Sequence, residues 1–198
     1  MELVRCSTRA TKLLQAKQLR EAEGLLRDVL QRQPLAGFDA VAMAQTRHDL
    51  GKTLRLLGAL DDALEVLKAA LDVRDRWDAS AGIGSAWRDG NLTREEVAKV
   101  YEAKGECGRA LVVRREGGTP LCSNEACKAL EYQEETLQAC SRCKCVFYCS
   151  KTCQRQDWKS RHKGCCQAVA RREDVLQASK DMGRLKVTTT TTTTTRGH

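Results

Sequence analysis

The sequence predicts a mostly α-helical chain: paired helices first, then a small cysteine-rich module, then a polar tail. Three observations predict it. The hydrophobic fraction is 41% but aromatic residues are only 4%, so a core must draw on Leu, Ala and Val, which suits packed helices better than a β-sandwich. Apolar residues recur at helical spacing through the first part of the chain. Nine of the 11 cysteines lie between Cys122 and Cys166. No run approaches the ~18 apolar residues that a bilayer span needs. The opening Met1-Glu2-Leu3-Val4-Arg5 has no apolar stretch of a secretory signal. An intracellular location, cytoplasmic or nuclear, is therefore expected.

The helical reading covers residues 1–117. One amphipathic set is Leu13, Leu14, Leu19, Leu25, Leu26, Val29 and Leu30; the next is Leu50, Leu54, Leu57, Leu60, Leu64, Leu67 and Leu71. Breaks are expected at Pro34 to Gly37, Gly58, Gly82 to Asn91, Gly105, and Gly117 to Pro120. An internal repeat lies beneath. Ala16 to Ala22, Gly58 to Leu64 and Gly105 to Leu111 each read as a small turn residue, polar residues, then an Ala on the next helix. The turn residues recur at intervals of 42 and 47 residues, a period that indicates stacked helical hairpins.

These residues resemble tetratricopeptide repeats over roughly residues 5–115. Leu50-Gly51, Leu54, Ala63, Leu67 and Ala70 fall at the small and large positions of that repeat. Ala10, Leu13, Ala22, Leu26 and Pro34 do so in the first unit, and Ala98, Tyr101 and Ala110 in the third. Gly51 and Ala63 would let paired helices approach closely. Beyond Ala110 the pattern fails, because Arg114 and Gly117 stand where apolar and small residues are expected. A generic α-hairpin bundle is the alternative.

Residues 118–121 read as a linker and residues 167–198 as a tail. The tail begins as a helix over Gln167 to Gln177 and ends in eight consecutive Thr, Thr188 to Thr195. A homopolymer has no alternating pattern and no core, so that tract is expected to be disordered.

The cysteines between these segments are spaced Cys122-x4-Cys127-x12-Cys140-x2-Cys143-x5-Cys149-x3-Cys153-x8-His162-x3-Cys166. Eight soft donors in four pairs match two closed tetrahedral Zn²⁺ sites. Without a secretory signal, such a cluster reads as metal-binding rather than disulfide-linked. Cys149 and Cys153, four apart, are expected on one helix face, as are His162 and Cys166. Spacing alone leaves interleaved and sequential pairings open.

The run from Cys140 to Cys166, including Tyr148, Gln154, Asp157 and Trp158, resembles the MYND zinc finger over residues 122–166. That resemblance implies an interleaved arrangement. Cys122, Cys127, Cys149 and Cys153 would bind one zinc, and Cys140, Cys143, His162 and Cys166 the other. The first pair is spaced x4 rather than the commoner x2, so Ser123-Asn124-Glu125-Ala126 must make a wider turn. Cys145 and Cys165 are extra thiols, and the x3 gap makes Cys166 the implied ligand. The resemblance further implies docking of short proline-rich peptides through Ser141, Gln154 and Trp158. A Trp can stack on proline while a Gln holds a backbone amide; a Trp158 that only covers the zinc sites is the alternative.

About 45 residues cannot bury enough apolar surface to fold alone, whereas structural zinc contributes ~10–16 kcal/mol in finger peptides. Chelation is therefore expected to unfold residues 122–166 and spare the helices.

The formal net charge is +8. Residues 121–166 carry eight Lys/Arg against five Asp/Glu, but seven zinc-bound thiolates and two Zn²⁺ would bring that excess to zero. A DNA-associated transcriptional regulator, using Lys151, Arg155, Lys159, Arg161 and Lys163, is thus secondary to a protein-interaction adaptor. A ubiquitin-ligase-like factor is the other alternative. The chain has three His, at positions 48, 162 and 198; with one needed for zinc, a two-His-one-carboxylate iron site is not expected. His48 is expected on a helix surface, and Cys107 as an inert thiol. Gly82-Ile83-Gly84 lacks the strand and ending of a phosphate loop. No catalytic site is expected. The helical repeats are expected to act as a scaffold or as a second peptide surface.

Overall fold

The computed structural model describes residues 2–81, 85–116, 120–127, 137–167 and 175–182. Half of the 118–121 linker, residues 118 and 119, and the Thr188–Thr195 tract lie outside them, as does the middle of the Gln167 to Gln177 segment. Residues 175–182 are helical.

Six helices form three antiparallel hairpins: α1 (Glu2–Gln15) with α2 (Leu19–Arg32), α3 (Ala40–Leu57) with α4 (Leu60–Ala81), and α5 (Ser85–Ala103) with α6 (Cys107–Glu116). Successive hairpins also touch, α2 on α3 and α4 on α5, and α3 meets both α1 and α5. The odd-numbered helices therefore line one layer and the even-numbered ones the other. The core joins Ala10, Leu26, Leu50, Leu54, Ala63, Leu67, Val97, Ala98, Tyr101 and Ala110, all buried. Asp39 caps α3, its carboxylate accepting from the Ala42 amide at 2.7 Å, which satisfies one orphan donor of the first turn.

The three hairpin turns are built alike. The amides of Gln18, Ala59 and Glu106 donate to the carbonyls of Leu13, Leu54 and Tyr101, and those of Lys17, Gly58 and Gly105 to Leu14, Arg55 and Glu102. This is a Schellman closure, and it needs a left-handed residue. Gly58 and Gly105 supply it with φ of 84° and 79°, and Lys17 supplies it with φ of 62°. The structural equivalent of the two glycines is thus Lys17 rather than Ala16. With that register Ala22, Ala63 and Ala110 each follow the turn residue by five positions. Gly51 has a steric reason: a Cβ there would lie 2.4 Å from Leu67 Cγ.

Two further expectations for the helices change. The break at Gly82 to Asn91 is shorter, because α5 already begins at Ser85. His48 is not a surface residue: it is partly buried, with Nδ1 3.1 Å from Thr93 Oγ1 and 3.4 Å from Arg74.

The cysteine-rich module follows α6. A two-stranded antiparallel ribbon pairs β1 (Gln138–Ala139) with β2 (Phe147–Tyr148), Gln138 opposite Tyr148 and Ala139 opposite Phe147. Then come α7 (Lys151–Asp157), a wide π turn (Trp158–His162) and α8 (Lys163–Cys165). Ser150 caps α7 through the Cys153 amide at 3.1 Å. Cys149 therefore precedes the helix instead of sharing its face with Cys153. No helix among the described residues is long and apolar enough to cross a membrane.

The module lies against the helices, and buried ion pairs mark the contact. Arg55 on α3 bonds Glu96 on α5 at 2.9 Å and also meets Glu125 in the module's first loop. Lys99 bonds Glu96 at 3.0 Å. Arg114, where the repeat pattern fails, is buried. It bonds Glu95 at 2.7 Å, Glu102, and the carbonyl of Cys145 at 2.6 Å. A cation stands at a core position there because the neighbouring module supplies its partner.

Candidate metal centre

The chain crosses between two sites. Cys122 and Cys127 flank the first loop, and Cys149 and Cys153 flank the cap of α7; their four sulfurs lie within 4.8 Å of one another. Cys140 and Cys143 flank the turn after β1, and His162 and Cys166 close the π turn and α8; their four donors meet the same limit. The sites thus interleave, the first and third pairs converging, and the second and fourth.

Local structure explains the convergence. The x4 loop is tightened by Asn124, whose side-chain oxygen accepts from the Ala126 amide at 3.2 Å and whose carbonyl accepts from Cys127 at 2.9 Å. Ser123 N–H donates to the Phe147 carbonyl at 2.9 Å, tying that loop to β2. In the second knuckle Cys140 N–H donates to Val146 and Lys144 N–H to Cys140. Lys144 takes the left-handed conformation, φ 58°. The π turn closes with Lys163 N–H on the Trp158 carbonyl, and Cys166 N–H donates to the His162 carbonyl at 2.8 Å.

The donor distances fit zinc. A tetrahedron with Zn–S of ~2.3 Å and Zn–N of ~2.0 Å has edges of roughly 3.5–3.8 Å. Cys127 and Cys149 sulfurs are 3.8 Å apart, Cys149 and Cys153 3.5 Å, and Cys140 and Cys166 4.0 Å; Cys143 Sγ lies 3.5 Å from His162 Nε2. All donors are sulfur or imidazole nitrogen, each site counts four, and no cysteine among the described residues is in a disulfide. Such closed sites leave no position for substrate. Amide N–H groups also point at the sulfurs, from Cys149 and Asn124 to Cys122 and from Cys145 to Cys143. Burial pushes the Cys122 thiol up, against those N–H bonds; a coordinated divalent cation reverses that preference.

Around the second site is a buried polar shell. Glu102 Oε2 lies 3.2 Å from His162 Nδ1 and 2.8 Å from Arg161. Arg161 also bonds Asp157 at 2.7 Å, and Asp157 accepts from the Tyr148 hydroxyl at 2.8 Å. Burial opposes ionising Glu102, but Arg114, the bond to His162 and Arg161 hold its carboxyl well below the usual range. Burial opposes charging Arg161, but Glu102 and Asp157 raise it. Cys165 sits on the Nδ1 side of His162, 3.9 Å from that nitrogen and 3.8 Å from Glu102 Oε2, while Cys166 faces Cys140. Cys145 is buried against the Cys107 thiol of α6.

The residues assigned to peptide docking lie on the outer side. Ser141 is exposed, and Gln154 and Trp158 are partly exposed. Trp158 packs edge-on to His162, centroids 5.8 Å apart at 70°. Of the five basic residues in this stretch, Arg161 is consumed by Glu102 and Asp157, whereas Lys151, Arg155, Lys159 and Lys163 are exposed. A cleft of about 620 Å³ separates the module from α1 and α3, its walls including Leu14, Lys52, Leu56, Ala126 and Lys159.

Two interleaved four-donor centres on one short chain segment define a cross-braced, zinc-stabilised finger. Residues 122–166 match the MYND finger family. The chain is also similar to an F-box protein of Arabidopsis thaliana, 44% identical over 54 residues, covering 27% of this chain and 14% of that protein. It is similar to ubiquitin carboxyl-terminal hydrolase 19 of Arabidopsis thaliana, 47% identical over 91 residues, 42% of this chain and 13% of that protein. A second Arabidopsis thaliana F-box protein is 39% identical over 49 residues, 25% of this chain and 15% of that protein. The chain thus spans about a seventh of the length of these relatives. No solved structure matches.

The interface was outside the reach of sequence reasoning. Glu102, Glu95 and Arg55 carry no sequence signal of this role; the one available signal was Arg114, standing where the repeat expects an apolar residue.

Proposed function

We propose that the chain is a non-catalytic, intracellular adaptor, its MYND finger docking short proline-rich peptides and its helical hairpins, of tetratricopeptide type, serving as scaffold. The observation that carries this reading is Trp158. Its ring is anchored edge-on by a metal-site histidine yet stays partly exposed, one helical turn from Gln154. A rigid ring beside an amide suits a proline-containing segment, whose extended backbone loses little entropy on binding. The helices play the scaffold role because the finger already occupies part of the layer formed by α3 and α5, Arg55 and Lys99 meeting its Glu125 and Glu102 meeting its Arg161.

A labelled proline-rich peptide titrated by fluorescence anisotropy tests this. Trp158→Ala protein that keeps two zinc ions should lose binding; unchanged binding would remove the docking assignment. A role connected with ubiquitin is the second reading, favoured by the similarity to a ubiquitin carboxyl-terminal hydrolase, and a ubiquitin-discharge assay tests it. Nucleic-acid binding ranks below both, since Arg161 is turned inward; flat salt dependence of DNA affinity would exclude it.

A further inference from the structure

We propose that Glu102, a residue of the helical stack, is the positioning residue of the second zinc centre. A histidine that binds metal through one ring nitrogen needs the other one protonated and held. His162 turns Nε2 to Cys143 at 3.5 Å and Nδ1 to Glu102 Oε2 at 3.2 Å, across 60 residues of sequence. Glu102 is fully buried and is itself held by Arg114 from α6 and Arg161 from the π turn. The carboxylate fixes the tautomer that leaves Nε2 free for metal, sets the ring plane, and makes the imidazole a stronger donor. The finger's second site is therefore finished by the helices.

A purely structural role for Glu102, as the anion between two arginines, makes a different prediction. Glu95 separates the two, because it pairs with Arg114 at 2.7 Å without meeting His162. The test uses the full chain loaded with Zn²⁺ and titrated with a chromophoric chelator. Co²⁺-loaded protein shows which site is lost, since four-sulfur and three-sulfur-one-nitrogen sites absorb differently. Glu102→Ala should weaken one metal of the two about 10–100-fold, and that metal should be the one in the site containing nitrogen. Glu102→Gln, which preserves shape and an acceptor but not charge, should weaken it less. Glu95→Gln should leave both metals as they are. Wild-type affinity at both sites in Glu102→Ala and Glu102→Gln would overturn the proposal. So would equal weakening of both sites, or the same loss in Glu95→Gln.

Discussion

Arg114 places a guanidinium nitrogen 2.6 Å from the carbonyl oxygen of Cys145, so the last helix of the stack and the second zinc knuckle share one buried cation. The same side chain neutralises Glu95 and Glu102. Removing one partner of a buried network costs more than the network contributes net, because the remaining charges stay desolvated. Arg114→Leu should destabilise the chain by about 3–5 kcal/mol. Denaturant unfolding of zinc-loaded protein checks this; a loss within the noise of a surface substitution would contradict the interface.

The hairpin turns give a second prediction. Lys17 holds a left-handed conformation, φ 62°, where its two counterparts are glycines. Its side chain is exposed, so nothing offsets the strain at that position. Lys17→Gly should stabilise by about 0.5–1 kcal/mol, and Gly58→Ala should destabilise by about 1–2 kcal/mol. Thermal unfolding of the two variants should move in opposite directions.

Gly51 and Leu67 supply a third. A methyl group at position 51 would overlap the buried Leu67 side chain, 2.4 Å from its Cγ. Gly51→Ala raises helix propensity, yet should destabilise by about 1–3 kcal/mol through overpacking. Stability equal to or above wild type would mean that α3 and α4 are not so closely paired.

How far the sequence carried this fold can be judged from these positions. The hairpins were legible because Leu and Ala repeat with the helical period, and Gly51 because a close approach leaves no other residue. The eight donors were legible because metal geometry dictates spacing. Lys17 was missed because a left-handed residue has no signature unless it is glycine or asparagine. The start of α5 at Ser85 was missed because two nearby glycines, Gly82 and Gly84, read as a longer break. The docking of the finger was illegible for a deeper reason: buried ion pairs such as Arg114–Glu102 look like solvated helix charges until the partner segment is placed.

Acid should act through His48. Burial, with Arg74, Lys52 and Lys99 nearby, pushes its imidazole down to about 4 despite the opposing Glu96. The unfolded chain therefore binds a proton between about pH 6.5 and 4 that the folded chain refuses. Stability contributed by neutral His48 is full above pH 6.5 and declines as pH falls through that window. His48→Gln should show a shallower loss of unfolding free energy than wild type between pH 7 and 5. Parallel curves would place His48 in solvent.

The most direct test of the whole account is a metal count by native mass spectrometry of the intact, reduced chain. Two Zn²⁺ per chain are predicted, with Cys153→Ser and Cys143→Ser each losing one, because the two residues serve different sites. A folded chain carrying no zinc, or one whose two variants both retain two ions, would contradict it.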